Sequence, residues 1–95
     1  MAGYWIVRTG EVTDAGAQRS YGQAWAPVAE RYGAKVIAGP GRIASKEGAA
    51  IARAFIVRFE TFERAVACYE DPAYQAAAEF GKRASQRDLI ILEGP

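Results

Sequence analysis

The chain has 95 residues, of which 51% are hydrophobic and 24% are charged, a composition typical of a small globular domain that excludes an intrinsically disordered chain. With 12 basic and 11 acidic side chains the net charge is +1, so there is neither the basic field of a nucleic-acid-binding protein nor a polybasic membrane patch. Histidine is absent and Cys68 is the one cysteine, which excludes an intramolecular disulfide, the usual zinc sites, histidine-ligated haem and catalytic triads that need histidine.

The apolar stretches are far shorter than a membrane-spanning segment. The N-terminal run Tyr4-Trp5-Ile6-Val7 is followed at once by Arg8, unlike a secretory signal. We therefore expect one domain over residues 1–95, in the cytoplasm, with no membrane or nucleic-acid partner, no metal and no cofactor.

The first half of the chain predicts a strand, a helix and a second strand. Strand-forming residues occupy positions 4–12, and Thr13-Asp14 then provides an N-cap for a helix that ends at Gly33. Pro27 lies inside this helix and predicts a kink or break near residues 24–26. Residues 34–38 predict the second strand. We expect it to continue over residues 42–45, at a sheet edge, after a turn or bulge at Gly39-Pro40-Gly41.

The second half repeats this plan. Residues 51–59 predict the third strand, and Thr61 can cap the helix that follows. Asp71-Pro72 marks the start of a second helical segment, because aspartate is a good N-cap and proline suits the first helical position. Residues 85–88 predict a turn and 89–92 the last strand. The resulting βαββαβ order predicts a ferredoxin-like α+β fold, with a four-stranded antiparallel sheet and the first and third strands at its centre.

Both faces of the predicted sheet are mainly apolar, although the helices can cover only one of them. We place Phe55, Val57 and Phe59 against the helices, with Arg8 and Arg58 on the open face. An open apolar sheet is an interface, so we expect a homodimer that packs sheet against sheet. The alternative is a monomer whose C-terminal residues cover this face.

Several motifs resemble the bacterial family called domain of unknown function 1330. They are the opening Tyr4-Trp5-Ile6-Val7, Tyr21, Pro27 before Arg31-Tyr32-Gly33, Phe59-Glu60-Thr61-Phe62, Asp71-Pro72-Ala73-Tyr74-Gln75 and the closing strand through Glu93-Gly94. The chain departs from the family at Ala38-Gly39-Pro40-Gly41-Arg42, where an Arg-Gly-Gly-like turn is usual. The resemblance implies a dimeric α/β barrel, a superfamily that includes cofactor-free monooxygenases, lactone isomerases, haem-degrading enzymes and stress-response proteins. It implies no particular reaction, because fold membership does not transfer a function.

In that superfamily the ligand cleft lies between the sheet and the helices. Four aromatic residues are placed to line such a cleft: Tyr21, Trp25, Tyr69 and Tyr74. Tyrosine and tryptophan combine an apolar wall with a hydrogen-bond donor, which suits a small aromatic or lactone-like ligand. The alternative is that the four are core and interface residues.

Charged residues offer weaker candidates. Arg8 and Arg58 can hold a carboxylate together or form ion pairs with nearby glutamates, and Arg42 can reach a ligand or remain solvated. Asp88 is either a base or a turn residue. The remaining interpretations are structural: a buried thiol at Cys68 and a solvated basic patch at Lys82, Arg83 and Arg87.

Three functions remain open. The first is a small-molecule pocket protein, extending to a cofactor-independent enzyme that uses tyrosine, aspartate or arginine as acid, base or anion holder. The second is a non-enzymatic binding or stress-response dimer. The third is an RNA-binding module, since residues 53–59 loosely echo the third-strand motif of RNA-recognition domains, but the near-neutral charge disfavours it.

Overall fold

The computed structural model describes all residues, 1–95, and contains four strands and three helices. In chain order they are β1 (Ala2–Thr9), α1 (Ala15–Tyr32), β2 (Lys35–Ala38), β3 (Arg53–Phe59), α2 (Phe62–Glu70), α3 (Pro72–Ala84) and β4 (Arg87–Gly94). The order follows the predicted βαββαβ plan, with the second helix divided into α2 and α3.

The four strands form one antiparallel sheet in the order β2-β3-β1-β4. The predicted central position of the first and third strands is therefore confirmed. Burial alternates along β1, where Trp5, Val7 and Thr9 are buried whereas Ile6 is half-buried and Arg8 is exposed. This period of two shows that one face of the sheet is covered and the other is open.

The covered face is the one expected from the sequence. Phe59 and Val57 are 0% and 4% exposed and belong to the same core cluster as Val28 of α1 and Ala65 of α2. Arg58, between them, is exposed on the opposite face.

All three helices begin at the predicted caps. The side chain of Asp14 accepts a hydrogen bond from the backbone N–H of Ala17, and Thr61 accepts one from that of Arg64. Asp71 ends α2 and caps α3, with Pro72 in the first turn, so one residue sets the boundary between the two helices. Gly33 ends α1 with φ 66°, a left-handed conformation that favours glycine.

The sequence predicts a kink or break near residues 24–26, and a break is wrong, because α1 runs without interruption through Pro27. Pro27 is exposed, whereas Trp25 is half-buried and Val28 is 1% exposed. The packing of these two neighbours on the sheet holds the helix together past the missing backbone donor, and the proline ring faces solvent.

Strand boundaries differ from the sequence predictions at several places. The first strand ends at Thr9 and the third begins at Arg53. Residues 42–45 form no strand, because the register with β3 is already irregular between Val36 and Ala38 and the chain then leaves the sheet. The last strand is longer at both ends than predicted. Its full length pairs with the central β1, from Thr9↔Arg87 to Ala2↔Gly94, which supplies the missing hydrogen-bond partners.

The open face carries large apolar side chains that are about half exposed. Ile90 and Leu92 of β4, which lie opposite Ile6 and Tyr4, are 54% and 49% exposed. Among the helices, none combines the length and the apolar character that crossing a membrane requires.

Candidate functional site

A cavity of about 200 Å³ lies between α1 and the covered face of the sheet. Its floor consists of alternate residues of the two central strands, namely Trp5, Val7 and Thr9 of β1 and Arg53, Phe55 and Val57 of β3. These residues form successive cross-strand rows, since Trp5 lies opposite Val57, Val7 opposite Phe55 and Thr9 opposite Arg53. We refer to this cavity as the α1 pocket.

The roof of the α1 pocket is one stripe of α1. Gln18, Tyr21, Gly22 and Trp25 recur every three or four residues and therefore share one face of the helix. Val36 of β2 and Ser85, which precedes β4, close the sides.

An aromatic cluster builds the apolar end of this pocket. Trp5 is 1% exposed, and its ring centroid lies 5.2 Å from that of Trp25 and 4.9 Å from that of Tyr74. The indole Nε1 donates a hydrogen bond of 3.0 Å to the carbonyl of Ala65, so the buried ring has its polar atom satisfied. Trp5 is thus fixed in position, and the apolar wall is preformed.

Elsewhere the pocket is lined by the Tyr21 phenol and the Arg87 guanidinium, and the Tyr74 hydroxyl lies next to both, outside the lining. The hydroxyls of Tyr21 and Tyr74 are 3.1 Å apart, and Nη2 of Arg87 donates to both, at 3.4 Å and 3.3 Å. The Arg87 guanidinium also lies over the Tyr21 ring, 4.8 Å from its centroid. The Arg87 guanidinium and the Tyr21 ring can both lie against α3 because the helix carries Gly81, which has no side chain, at the point of contact.

The protonation states of this group follow from its surroundings. Burial raises the pKa of Tyr74 above the usual phenol range, with the neighbouring Tyr21 adding to the effect, so Tyr74 is a neutral hydroxyl at physiological pH. Burial alone would lower the pKa of Arg87, but its interactions with Tyr21 and Tyr74 raise it instead, and the guanidinium is a full cation.

A second arginine, Arg53, lies at the same level of the sheet as Arg87. Thr9 of β1 lies opposite Arg53 of β3 on one side and opposite Arg87 of β4 on the other. All three residues line the α1 pocket. We call them the Thr9 row. The ion pairs of the molecule are Arg8–Asp88, Arg31–Asp71 and Lys82–Glu79, so neither arginine of the row has a carboxylate partner.

The four aromatic candidates from the sequence lie in one cluster, in two different positions. Tyr21 and Trp25 line the α1 pocket directly. Tyr69 and Tyr74 lie behind Trp5 and line a smaller cavity of about 110 Å³, which Arg87 separates from the main pocket.

The three arginine candidates lie outside this pocket. Arg8 pairs with Asp88 at 3.0 Å on the open face, instead of with a glutamate. It lies opposite Ala54, whereas Arg58 lies opposite Tyr4, so the two arginines occupy opposite ends of the central strand pair and do not converge. Arg42 is exposed in the segment after β2.

Two other sequence interpretations have clear outcomes. Asp88 is a residue of β4 rather than of a turn, and it pairs with Arg8. Cys68 is buried as expected, and burial raises the pKa of its thiol to about 12. No three acidic or cysteine side chains come together in a group that could hold a metal ion.

With this geometry established, the comparison with known proteins is informative. A family model described as "Domain of unknown function (DUF1330)" matches residues 2–95. The chain belongs to this family. The resemblance in its motifs is therefore confirmed. No curated protein matches the chain.

Solved structures support the fold of this DUF1330 chain. RPA0582, a protein of unknown function from Rhodopseudomonas palustris, is 21% identical with a TM-score of 0.70, and the match covers 99% of this chain and 82% of that one. A dimeric ferredoxin-like protein of unknown function from Bacteroides fragilis is 13% identical, with a TM-score of 0.59 and 98% and 96% coverage. An ethyl tert-butyl ether D family protein from Bacillus halodurans is 15% identical, with a TM-score of 0.64 and full coverage of both chains. At these identities the likeness shows the ferredoxin-like fold alone.

Sequence reasoning missed Arg53 and Arg87 as site residues of this DUF1330 chain. Arg87 was assigned to a solvated basic patch, but it is half-buried against Tyr21 and Tyr74. A signal was present, because Arg53 continues the alternation of Phe59, Val57 and Phe55 onto the helix-facing side of β3.

Proposed function

We propose that this DUF1330 chain binds a small aromatic or lactone-like molecule in the α1 pocket. The observation that carries the proposal is the composition of the pocket, which combines a fixed indole wall with the Tyr21 hydroxyl and the Arg87 guanidinium that donates to it. A few polar groups in an apolar cavity are what small-molecule sites usually contain. Benzene occupies an engineered apolar cavity of about 150 Å³, so a pocket of about 200 Å³ suits a single substituted ring.

The pocket also supports a cofactor-independent reaction. Tyr21 reaches both the pocket and the Arg87 cation, so it can exchange a proton with a bound oxygen while the guanidinium stabilises the resulting negative charge. The lining offers one phenol, that of Tyr21, and two guanidiniums but no carboxylate, which equally favours the alternative of a non-enzymatic binding protein. The enzyme and the binding protein differ only in whether the bound molecule is converted to a product.

A cavity-filling variant tests binding at this place. Gly22 lines the pocket, and a Cβ built on it meets no atom within 4 Å. Gly22→Leu therefore fills the cavity while improving helix propensity, so the fold should be retained. We expect phenols, lactones and quinones to quench the tryptophan fluorescence of the unmodified protein and not that of Gly22→Leu.

The hydroxyl group is tested separately. Tyr21→Phe removes the pocket hydroxyl and keeps the ring, so it should weaken binding about tenfold, the value of one hydrogen bond to a charged or polar partner. Chromatography of each probe after incubation measures turnover. Conversion that Tyr21→Phe abolishes establishes the enzyme, and binding without conversion establishes the binding protein. Equal binding to both variants and the unmodified chain refutes the pocket.

We propose further that two copies pack through the open sheet face into a dimeric α/β barrel in the cytoplasm. Ile90 and Leu92 lie exposed on this face next to the half-buried Ile6, and a monomer would leave this apolar surface in water. The Bacteroides fragilis structure with the same fold is described as dimeric. The cytoplasmic location rests on the sequence alone.

Sedimentation velocity tests this assembly. Ile90→Lys places a charge at the proposed interface and should give a monomer at concentrations where the unmodified chain is a dimer, because an unpaired charge is costly to bury. Ala76→Lys adds the same charge on the exposed side of α3 and should leave the dimer intact. A dimer that survives Ile90→Lys contradicts the sheet-to-sheet arrangement.

A further inference from the structure

We infer that the ligand of the α1 pocket is a small organic carboxylate whose charged group binds between Arg53 and Arg87. This inference rests on the proposed function and specifies its ligand class. It is derived from the position, charge and surroundings of the Thr9 row.

The first argument is position. Arg53 and Arg87 flank Thr9 at the same level of the sheet, on its covered face. Neighbouring strands are about 4.8 Å apart, so the two backbones are roughly 10 Å apart across Thr9. That separation leaves room for one small anionic group between two long side chains that line the same cavity.

The second argument is charge. Both arginines are half-buried, and neither forms an ion pair. Each is held by an aromatic ring instead, Arg53 over Phe55 at 5.1 Å and Arg87 over Tyr21 at 4.8 Å. Two like charges beside one cavity, with no carboxylate in its lining, repel each other until an anion enters. The Phe55 ring holds the Arg53 guanidinium without using its N–H donors, and Arg87 uses only Nη2, on Tyr21 and Tyr74, so both side chains keep N–H donors for a carboxylate.

The third argument is the polarity of the cavity along the strands. The rows Trp5–Val57 and Val7–Phe55 are apolar, and the next row along β1 is Thr9 with its two arginines. A ligand that fits this gradient has a planar apolar body against the indoles and an anionic head at the Thr9 row. The pocket volume of about 200 Å³ limits that body to about one ring.

A matched pair of probes tests the inference without any mutation. Benzoate and benzamide have nearly the same shape, but only benzoate is charged at neutral pH. We expect isothermal titration to give benzoate an affinity at least about tenfold higher than that of benzamide, as for hydrogen bonds to a charged group. Phenyl phosphate is the third probe, and stronger binding of phenyl phosphate than of benzoate overturns the assignment of a carboxylate in favour of a phosphate.

Arginine variants then locate the anion. Arg53→Gln and Arg87→Gln should each lower benzoate affinity about tenfold or more, and should lower benzamide affinity much less, because the uncharged amide loses no ion pair. Arg83→Gln is the matched control, because Arg83 lies over the Phe80 ring at 4.9 Å and is exposed outside the pocket. It should change neither affinity. If Arg87→Gln does not fold, Arg53→Gln gives the same answer.

The outcomes separate the inference from the proposed function. Equal binding of benzoate and benzamide, both blocked by Gly22→Leu, overturns the carboxylate inference and keeps the pocket. A loss of benzoate affinity equal in Arg83→Gln and Arg53→Gln overturns it too, because only net charge would then matter. Failure of every ring compound to bind, charged or neutral, overturns both proposals.

Discussion

Gly81→Ala is the sharpest test of how the site is packed. Gly81 is buried in α3, and a Cβ built on it would lie 2.5 Å from Nη1 of Arg87 and 3.0 Å from Cδ1 of Tyr21. The Tyr21 ring can yield by a few tenths of an ångström, but the guanidinium must leave. The methyl group therefore displaces Arg87 from its ring and its two phenols, and Tyr21 is the other pocket residue among its nearest contacts.

The magnitude follows from two opposing effects. Replacing glycine by alanine in a helix interior stabilises a protein by about 1 kcal/mol. Moving Arg87 off the Tyr21 ring costs about 0.5–1 kcal/mol, and its two long hydrogen bonds together cost about 1 kcal/mol more. We expect Gly81→Ala to lower the free energy of unfolding by roughly 0.5–1 kcal/mol instead of raising it.

Urea unfolding, followed by tryptophan fluorescence at one fixed protein concentration, measures this difference. Gly22→Ala is the matched control, because its methyl group enters open space, and it should gain about 1 kcal/mol. In an Arg87→Ala background the clash is gone, so Gly81→Ala should become stabilising. A Gly81→Ala variant that is as stable as Gly22→Ala in the unmodified background refutes the packing of Arg87 against α3.

Two further predictions concern groups outside the pocket. Asp71 accepts hydrogen bonds from the Tyr32 hydroxyl, the Ala73 N–H and Arg31, and these lower its pKa. Because the folded pKa is the lower one, this stabilisation is complete above the unfolded value of about 3.9 and is lost as the pH falls through the folded value. Thermal melts between neutral and strongly acidic pH should therefore show a shallower acid decline for Asp71→Asn, and an unchanged decline contradicts the assignment. Cys68 is buried with a pKa of about 12, so a thiol reagent at pH 8 should label it only after urea unfolds the chain, and rapid labelling of the native protein refutes its burial.

The fold was largely predictable because its signals are local. Asp14, Thr61 and Asp71 are capping residues next to apolar helical patterns, and all three caps formed as expected. The errors lie where tertiary contacts override local signals. Pro27 predicts a break, but the packing of α1 on the sheet holds the helix together. The extension of β4 back to Arg87 depends on pairing with β1, which lies more than 70 residues away in the sequence and carries no local signal at residues 85–88.

The site was less predictable, although the alternation along the strands shows which side chains face the helices. Alternation along β3 from Phe59 through Phe55 places Arg53 on the covered face, and the same period along β4 from Ile91 places Arg87 there. The turn predicted for residues 85–88 ends this alternation at Leu89, one step before it reaches Arg87. The charge of the two arginines alone predicts that both side chains face solvent, because long charged side chains are seldom buried without a partner.

A charge on the core-facing side of a strand is informative for that reason. In a sheet stabilised only by packing, the Thr9 row would carry apolar residues like the Val7 and Trp5 rows before it, since a buried polar group lowers stability unless it is satisfied. Here two arginines break the pattern at the same level, on both neighbours of one central strand, and both line the same cavity. One such residue can be accommodated by reaching solvent. Two that converge on a single space are explained by what enters it, and the comparison of benzoate with benzamide tests that explanation directly.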